Sequence, residues 1–514
     1  MPATVTSDVV HLHPDDNVCI ATRDLDRATH VTAAPYDVIL TGKVGLGHKI
    51  ALAEIAKGQR VIRYGQTIGF ATAVIDPGDW VHTHNLTAGE FTRDYQYATE
   101  IPPPPVPIAG RTFQGYRRAD GKVGTRNYLA VISTVNCSAS VSKTIAQRFD
   151  RGLLAQYPNV DGILPLVHKG GCGLQFGGED HQQLTRVLAG FARHANVGGF
   201  LLVGLGCETA TMPFLVENGG LVQLDASPRK LPSMLSIQDC GGTTKTVEAA
   251  LRQVAAMLPQ VNDVRRESIP ASEILLGLNC GGSDGNSGVT ANPALGRASD
   301  MLVAAGGTAI LTETPEIYGA EHLLTRRART RAIGEKLIER IHWWERYTAA
   351  FGTKIDNNPS PGNKDGGLTT IYEKSLGAAA KGGATALSGV YLYAEPVTAR
   401  GLVFMDSPGF DPVSVTGLVA SGANMVCFTT GRGSCYGCKP VPSIKIATNT
   451  PMYERMRDDM DLNAGAILSG TPVEEVGRQI FDLILEVASG RQTKSEQHGI
   501  GEEEFAPWSI GPTL

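Results

Sequence analysis

Six times along this chain an apolar, strand-like run stops at a loop that sets glycine beside a reactive or charged side chain, and no other feature narrows the fold as much. The runs are YLAVISTVNCS ending at Cys137, DGILPLVHKGGCG at His168 and Cys172, and GFLLVGLGCET at Cys207 and Glu208. The other three are EILLGLNCGGSDGNSG at Cys280 and Asp284, GTAILTETPE at Glu313 and Glu316, and NMVCFTTGRGS at Arg432. In open α/β sheets ligands bind in the crevice beyond the carboxyl ends of the strands, so reactive groups at strand ends are expected to face one pocket. The chain therefore reads as an enzyme. A non-enzymatic binding or chaperone-like protein would not need Cys, His, Glu and Arg crowded at strand ends.

Helical candidates alternate with these runs: SASVSKTIAQRF, HQQLTRVLAGFARH and NPALGRASDMLVAAGG. Strands alternating with helices imply parallel sheets. A polar break near residues 260–272 divides the region into two α/β halves, 115–265 and 266–514. Residues 320–347 read as one or two helices whose Trp343 and Trp344 serve packing. Ahead of this region, residues 1–95 hold short β runs punctuated by Gly, Pro and Asp, a small β domain whose one helical candidate is Ala51 to Gly58. Between them IPPPPVPIAG, residues 101–110, should hold a stiff polyproline II conformation, within a linker spanning 96–114.

A length of 514 residues exceeds what one core supports, so two to four domains are expected. The 51 acidic and 46 basic residues leave a net charge of −5 without long runs, which argues against nucleic-acid and membrane surfaces and for small-molecule chemistry. The N-terminus has neither the basic start nor the apolar core of a signal peptide, and no run of about 18 apolar residues could span a bilayer, so a cytoplasmic protein is expected. Nine cysteines then read as thiols, metal ligands or redox groups rather than a disulfide framework.

Cys137, Cys172, Cys207 and Cys280 are separated by 35, 35 and 73 residues, so their local spacing forms no metal motif. Their position favours function: each ends an apolar run, and Cys137 and Cys207 lead towards helix starts, which lower a thiol's pKa. Cys435 and Cys438 have the spacing of a redox or metal pair but lack a second pair or a nearby histidine. His82 and His84 alternate at strand period, which would point both imidazoles to one face and towards one metal, with His48 able to join them. That role requires the small β domain to dock over the α/β pocket. CGGSDGNSG, with Ser283 and Asp284, suits a nest of backbone N–H groups for a carboxylate or phosphate, without any nucleotide-binding fingerprint. Lys364 and Asp365, then Glu373 and Lys374, offer acid and base groups or an ordinary ion pair. Arg432, between two glycines, suits bidentate binding of a carboxylate.

Taken together, GHKIAL, IRYGQTIGFA, HTHN, GTRNYLAVISTVNC, GLGCE, CGGSDGNSGVTANPALG, TETPEIYGAE, PSPGNKDGGLTTIYEKSLG and FTTGRG resemble the altronate and galactarate dehydratase family. The resemblance covers about residues 8–490. It implies a small SAF-like, β-clip domain over residues 8–90 joined to a large catalytic region, and a hydro-lyase that removes water from a sugar acid with the help of a divalent metal, Fe²⁺ or Mn²⁺. HTHN resembles the altronate-type members, while the segment from GFDPVSVTG to KIATNT also resembles the large subunit of sulfolactate sulfo-lyase, which would make C–S elimination the alternative. On this reading Arg432, Ser283, Asp284 and His48 bind substrate. His168, Lys364, Glu373 and Lys374 are the acid and base candidates, and metal ligands come from Cys137, Cys172, Cys207 and Cys280 or from His82 and His84. Three thiolates from separate loops could instead hold an iron–sulfur cluster. Homo-oligomerisation is left open.

Overall fold

The computed structural model describes residues 4–5, 8–89, 95–222, 232–355 and 358–510. All six apolar runs form strands, and all six lie in parallel sheets. Four strands make one sheet in the order Gly162–Leu166, Tyr128–Ser133, Val197–Gly204, Ser233–Ser236. Seven make the other: Leu387–Tyr391, Gly401–Met405, Thr308–Leu311, Leu275–Cys280, Met425–Thr430, Ser443–Ala447, Leu462–Asn463. Parallel strands are covered by helices on both faces, so they are apolar throughout instead of alternating, as in Met425–Thr430, where every residue is buried.

In the seven-stranded sheet, the chain leaves Leu275–Cys280 for Thr308–Leu311 on one side and returns as Met425–Thr430 on the other. The crevice between Leu275–Cys280 and Met425–Thr430 is therefore the topological switch point, where this architecture places ligands. The smaller sheet reverses in the same way around Tyr128–Ser133. The polar stretch near residue 265 does not simply separate the two sheets. Helix Thr243–Asn262 leads into strand Glu267–Pro270, which pairs antiparallel with Thr112–Arg117, and this ribbon ties them together. Helix Arg331–Ala350 carries the two tryptophans, and Trp344 packs as expected: it stacks on Trp508 at 5.2 Å and donates Nε1–H to Asp406 Oδ1 at 2.8 Å.

The N-terminal domain is a set of short antiparallel strands between Thr4 and Thr87. The helix expected at Ala51 to Gly58 is absent: strand Lys49–Ala51 runs into a turn, and Ile55 exchanges both backbone hydrogen bonds with Ile75 at 2.9 and 3.0 Å. Helix propensity loses here to cross-chain pairing and to the burial of Leu52 and Ile55. The proline segment after it lacks helix or strand and touches the catalytic region through the Ile108 N–H, which donates to the Ala304 carbonyl at 2.9 Å.

This small domain docks on the large region through one buried carboxylate. Glu373, near the start of helix Ile371–Ala379, accepts from Lys49 Nζ at 2.9 Å to both oxygens, from Arg63 Nη1 at 2.5 Å and from Thr369 Oγ1 at 2.6 Å. Lys49 also reaches the Gly367 carbonyl and Arg63 the Gly285 carbonyl, each at 2.7 Å. Backbone approaches backbone beside them: a Cβ at Gly285 would overlap the carbonyl oxygen of Gly47. Burial alone would raise the Glu373 pKa, but the two cations outweigh it and bring it down to about 2. The stability this carboxylate contributes is thus present above its ordinary value of 4.5 and is lost as pH falls from there towards 2. Glu373→Ala, which leaves Lys49 and Arg63 buried without their anion, should cost about 3–5 kcal/mol in chemical denaturation at pH 7. The difference between the variant and the parent should shrink when the titration is repeated near pH 3.

Candidate active site

Three loops meet over the switch point of the seven-stranded sheet. Gly281 to Ser287 follows one central strand, Gly431 to Cys435 follows the other, and the short helix Pro361–Asp365 closes over them. The Arg432 and Gly431 N–H groups both donate to the Gly282 carbonyl, at 2.9 and 3.0 Å. Beneath them the buried Asp284 carboxylate accepts from Ser287, Asn286, Thr448 and Asn449, so it is a knot that shapes the loop and has no lone pair to spare for substrate. Gly431 packs directly on it, and a Cβ there would overlap the Asp284 carboxyl. Ser283 is also buried, with its carbonyl accepting from Asn363 Nδ2 at 2.8 Å. Arg432 is exposed, with its guanidinium unpaired among the described residues. It lies alongside Gly366 and Gly282.

A second group lies at the same sheet edge, between the ends of Leu275–Cys280 and Thr308–Leu311. Lys374 Nζ is 2.5 Å from Glu316 Oε1, Cys280 Sγ donates to Glu316 Oε2 at 2.8 Å, and Lys381 Nζ donates to Cys280 Sγ at 2.7 Å. Glu313 adopts a left-handed conformation at φ +70°, pinned by its own N–H on Ser407 Oγ at 3.1 Å, and its Oε1 is buried without a hydrogen-bond partner. Strain of this kind in a residue with a Cβ persists only where the surroundings enforce it.

Charge in this group is uneven. Burial opposes the Glu316 anion, but Lys374 and Lys381 outweigh it and hold its pKa down at about 2. Burial and then the Glu316 charge push Glu313 well above the carboxylate range. The same two causes keep Cys280 a thiol. Burial works against the Lys381 ammonium, yet the Cys280 sulfur, Glu313 and Glu316 around it keep it charged. Two ammoniums thus face one firm carboxylate. Asp411, the first residue of helix Asp411–Ala420, stands at the solvent side of the group and is raised by burial and then by Glu316 to about 7. It accepts from Asn279 Nδ2 at 3.2 Å and packs over Gly281.

Cys280, Glu313 and Glu316 are the only His, Cys, Asp or Glu trio among the described residues whose ligand atoms lie within 4.8 Å of one another. Sulfur and carboxylate donors would suit Fe²⁺ or Mn²⁺. The set nonetheless does not fit a divalent cation as it stands, because Lys381 Nζ already sits against all three, 2.7 Å from Cys280, 3.5 Å from Glu313 and 3.6 Å from Glu316. The site is served by an ammonium of its own.

The other expected ligands are arranged differently from the sequence reading. The four cysteines do not converge: Cys280 is buried on the seven-stranded sheet, while Cys137, Cys172 and Cys207 are exposed on the four-stranded one. Cys438 is buried and Cys435 exposed, without a bond between them. His82 and His84 lie in a turn, not a strand, closed by the Asn85 N–H on the His82 carbonyl. His82 Nε2–H donates to the Lys364 carbonyl at 2.9 Å and Thr83 Oγ1 is 3.1 Å from Nδ1. His48 Nε2–H donates to the Asp365 carbonyl at 3.3 Å, and its Nδ1 accepts from Trp80 at 3.0 Å. Both imidazoles therefore have their nitrogens engaged and hold the helix Pro361–Asp365 in place, while His84 is exposed beside Trp80. Burial lowers the His48 pKa to about 4, so it is neutral. His168 belongs to the other sheet, with Nε2–H on the Ser133 carbonyl and Nδ1 accepting from Gly170, which makes it a loop brace and not a base. Glu373 is the docking anion described above, not an acid or base. Lys364 is half-buried and contributes its carbonyl to His82. Lys374 is in the site. Lys381 and Asp411 were not singled out, because AAAKGG and GFDPV carry no motif and acquire meaning only through the sheet order.

The comparisons agree with this architecture part by part. The chain matches the altronate/galactarate dehydratase SAF domain over residues 7–89. It matches the D-galactarate dehydratase/altronate hydrolase second domain over 115–262, and the D-galactarate/altronate dehydratase C-terminal region over 271–513. It is 38% identical to altronate dehydratase of Escherichia coli K12 over 98% of this chain and 99% of that protein. It is 40% identical to the galactarate dehydratase (L-threo-forming) of the same organism, over 97% and 96%. Identity to the (2R)-sulfolactate sulfo-lyase subunit beta of Chromohalobacter salexigens is 31%, over 77% of this chain and 97% of that one. With three consecutive domain matches and relatives aligned end to end, the chain belongs to the altronate/galactarate dehydratase family.

Proposed function

We propose that this protein is a hydro-lyase that removes water from a sugar acid of the altronate or galactarate kind to give a 2-keto-3-deoxy acid. The observation that carries the mechanism is that Arg432 and Asp411 flank one diglycine, Gly281–Gly282, at the switch point, beside a buried group with more positive than negative charge. A polyhydroxy carboxylate is an anion, and with Asp411 ionised the cations Lys374, Lys381 and Arg432 still outnumber the carboxylates Glu316 and Asp411, which favours it there. Arg432 is free to take the carboxylate in two parallel hydrogen bonds.

Dehydration removes the proton from C2 and the hydroxyl from C3. Asp411, ionised, takes the C2 proton, and the freed electron pair accumulates on the carboxylate that Arg432 holds. That pair then forms the C2–C3 double bond as the C3–O bond breaks, and the Lys374 ammonium supplies the proton with which the hydroxyl leaves as water. The resulting enol tautomerises to the 2-keto acid. Burial works against the Lys374 ammonium, and the Glu316 carboxylate beside it holds it in its charged form.

Incubation with a panel of aldonates, aldarates and sulfolactate tests the reaction: 2-keto-3-deoxy acid from a sugar acid is expected. Sulfite from sulfolactate with no keto acid from any sugar acid would overturn it. Because the base must be ionised, kcat/KM should rise with pH through an apparent pKa near 7 that belongs to Asp411 together with Glu313 and Glu316. Asp411→Asn should lower kcat by about 10²–10⁴-fold and abolish that limb. Arg432→Lys should keep the melting temperature and lower kcat/KM about tenfold or more, since lysine cannot reproduce the fork and hydrogen bonds to charged groups contribute about 1.5–3 kcal/mol. An unchanged kcat/KM in that variant would move the carboxylate elsewhere.

A further inference from the structure

The four-stranded sheet has its own carboxyl edge, and three neighbouring strands end there in loops that each present one exposed cysteine. Cys172 follows Gly162–Leu166, Cys137 follows Tyr128–Ser133, and Cys207 follows Val197–Gly204. Cysteine is among the most buried residue types, so three exposed thiols side by side call for a reason. In the parallel register Ser133 pairs with Val203, which places Cys137 and Cys207 four residues beyond paired positions.

These loops are locked to one another. The Asn136 N–H donates to the Gly170 carbonyl and the Ala210 N–H to the Gly171 carbonyl, both at 3.0 Å, so the Cys172 loop is bonded on one side to the Cys137 loop and on the other to the Cys207 loop. Gly171, at φ +98°, packs so closely on the Thr134 carbonyl that a Cβ would overlap it. The buried Glu208 carboxylate accepts from Thr134 Oγ1 at 2.8 Å and from the Gly206 N–H at 2.6 Å, which staples the Cys137 loop to the Cys207 loop. His168 braces the Cys172 loop against the Ser133 carbonyl. Such over-determined loops hold a first coordination shell in place.

We infer that Cys137, Cys172 and Cys207 hold an iron–sulfur cluster by three thiolates, leaving one iron without a protein ligand. A single ion is the poorer occupant. Thiolates on one tetrahedral metal stand about 3.8 Å apart, given metal–sulfur bonds of about 2.3 Å. The three thiols do not form a set within 4.8 Å, whereas a cluster, with its irons at separate corners, spreads its thiolates more widely. Helix Ala139–Gln147 begins two residues after Cys137, so its N-terminal end favours an anionic group there, and the cavity of ≈ 680 Å³ that opens at Cys172 is polar, with Lys169 and Asp180 on its wall beside the Lys143–Glu503 ion pair. That cavity, lined by Cys172 of the three thiols and with Asn136 and the C-terminal segment Phe505 to Ile510 on its wall, would give room for an oxygen ligand such as a carboxylate or hydroxyl.

The inference is independent of the dehydration site and is read without activity. Full-length protein would be reconstituted under anaerobic conditions with ferric citrate, sulfide and excess dithiothreitol, desalted, and analysed for iron, acid-labile sulfide and absorbance. About four irons and four sulfides per chain with a broad band near 400 nm are expected. The triple variant C137S/C172S/C207S, its fold checked by thermal melting, should bind none, and each single variant should lose at least half. Wild-type protein without stoichiometric iron and sulfide, or a triple variant that binds as much as the parent, would overturn the assignment. One zinc per chain from the same thiols with no sulfide would overturn it equally.

Discussion

Glu373 is the hinge of the architecture. A carboxylate removed from water is tolerated only when cations and hydrogen bonds replace its hydration, and here both cations come from the other domain. The dependence runs in both directions: Lys49 and Arg63 are themselves fully buried and would be costly without Glu373. The small domain is thereby fixed at one orientation, and its Gly45 to His48 loop and His82 turn fall on the helix Pro361–Asp365. That helix in turn shapes the wall beside Arg432. The β domain thus acts on the site by position, through imidazoles that donate to carbonyls.

The neighbouring buried group solves a different problem. Glu373 is balanced by two cations and a hydroxyl and has no open side, whereas Glu316 shares its two ammoniums with a thiol and a second, protonated carboxyl. A buried surplus of positive charge is unfavourable in the empty protein and is relieved when an anion binds at its edge. Asp411 stands at that edge with a pKa pulled to the middle of the physiological range, so its proton can move at little cost in either direction. Structural and chemical carboxylates are therefore distinguished by how completely their partners satisfy them.

Much of this was legible in the chain. Continuous apolar runs ending in glycine loops forecast parallel strands, because only strands covered on both faces tolerate that composition, and the side chains at their ends did gather by sheet. What the runs did not carry was which strands are neighbours. The seven-stranded order brings residue 280 beside residues 313 and 316, while Cys137, Cys172 and Cys207 go to another sheet; no local spacing encodes that division. The histidine pair misled for a related reason. Alternation at period two is a strand signal only where the backbone stays extended, and at His82 the chain is already turning to place Asn85 back on its own backbone. Lys381 and Asp411 lay outside any motif, and their roles arise from contacts across about a hundred residues or more of chain.

The same local device, an apolar strand that ends in a cysteine and a glycine turn, has been put to two uses within one molecule. Where the strand end is buried under helices, as at Cys280, desolvation keeps the sulfur protonated, and it becomes one more hydrogen-bonding group in an ion-pair network. Where the strand end stays open to solvent, as at Cys137, Cys172 and Cys207, the sulfur is left accessible to a ligand. Burial, more than the identity of the residue, decides whether a cysteine at a strand end is a neutral hydrogen-bonding group or a ligand in waiting, and only the tertiary structure sets burial.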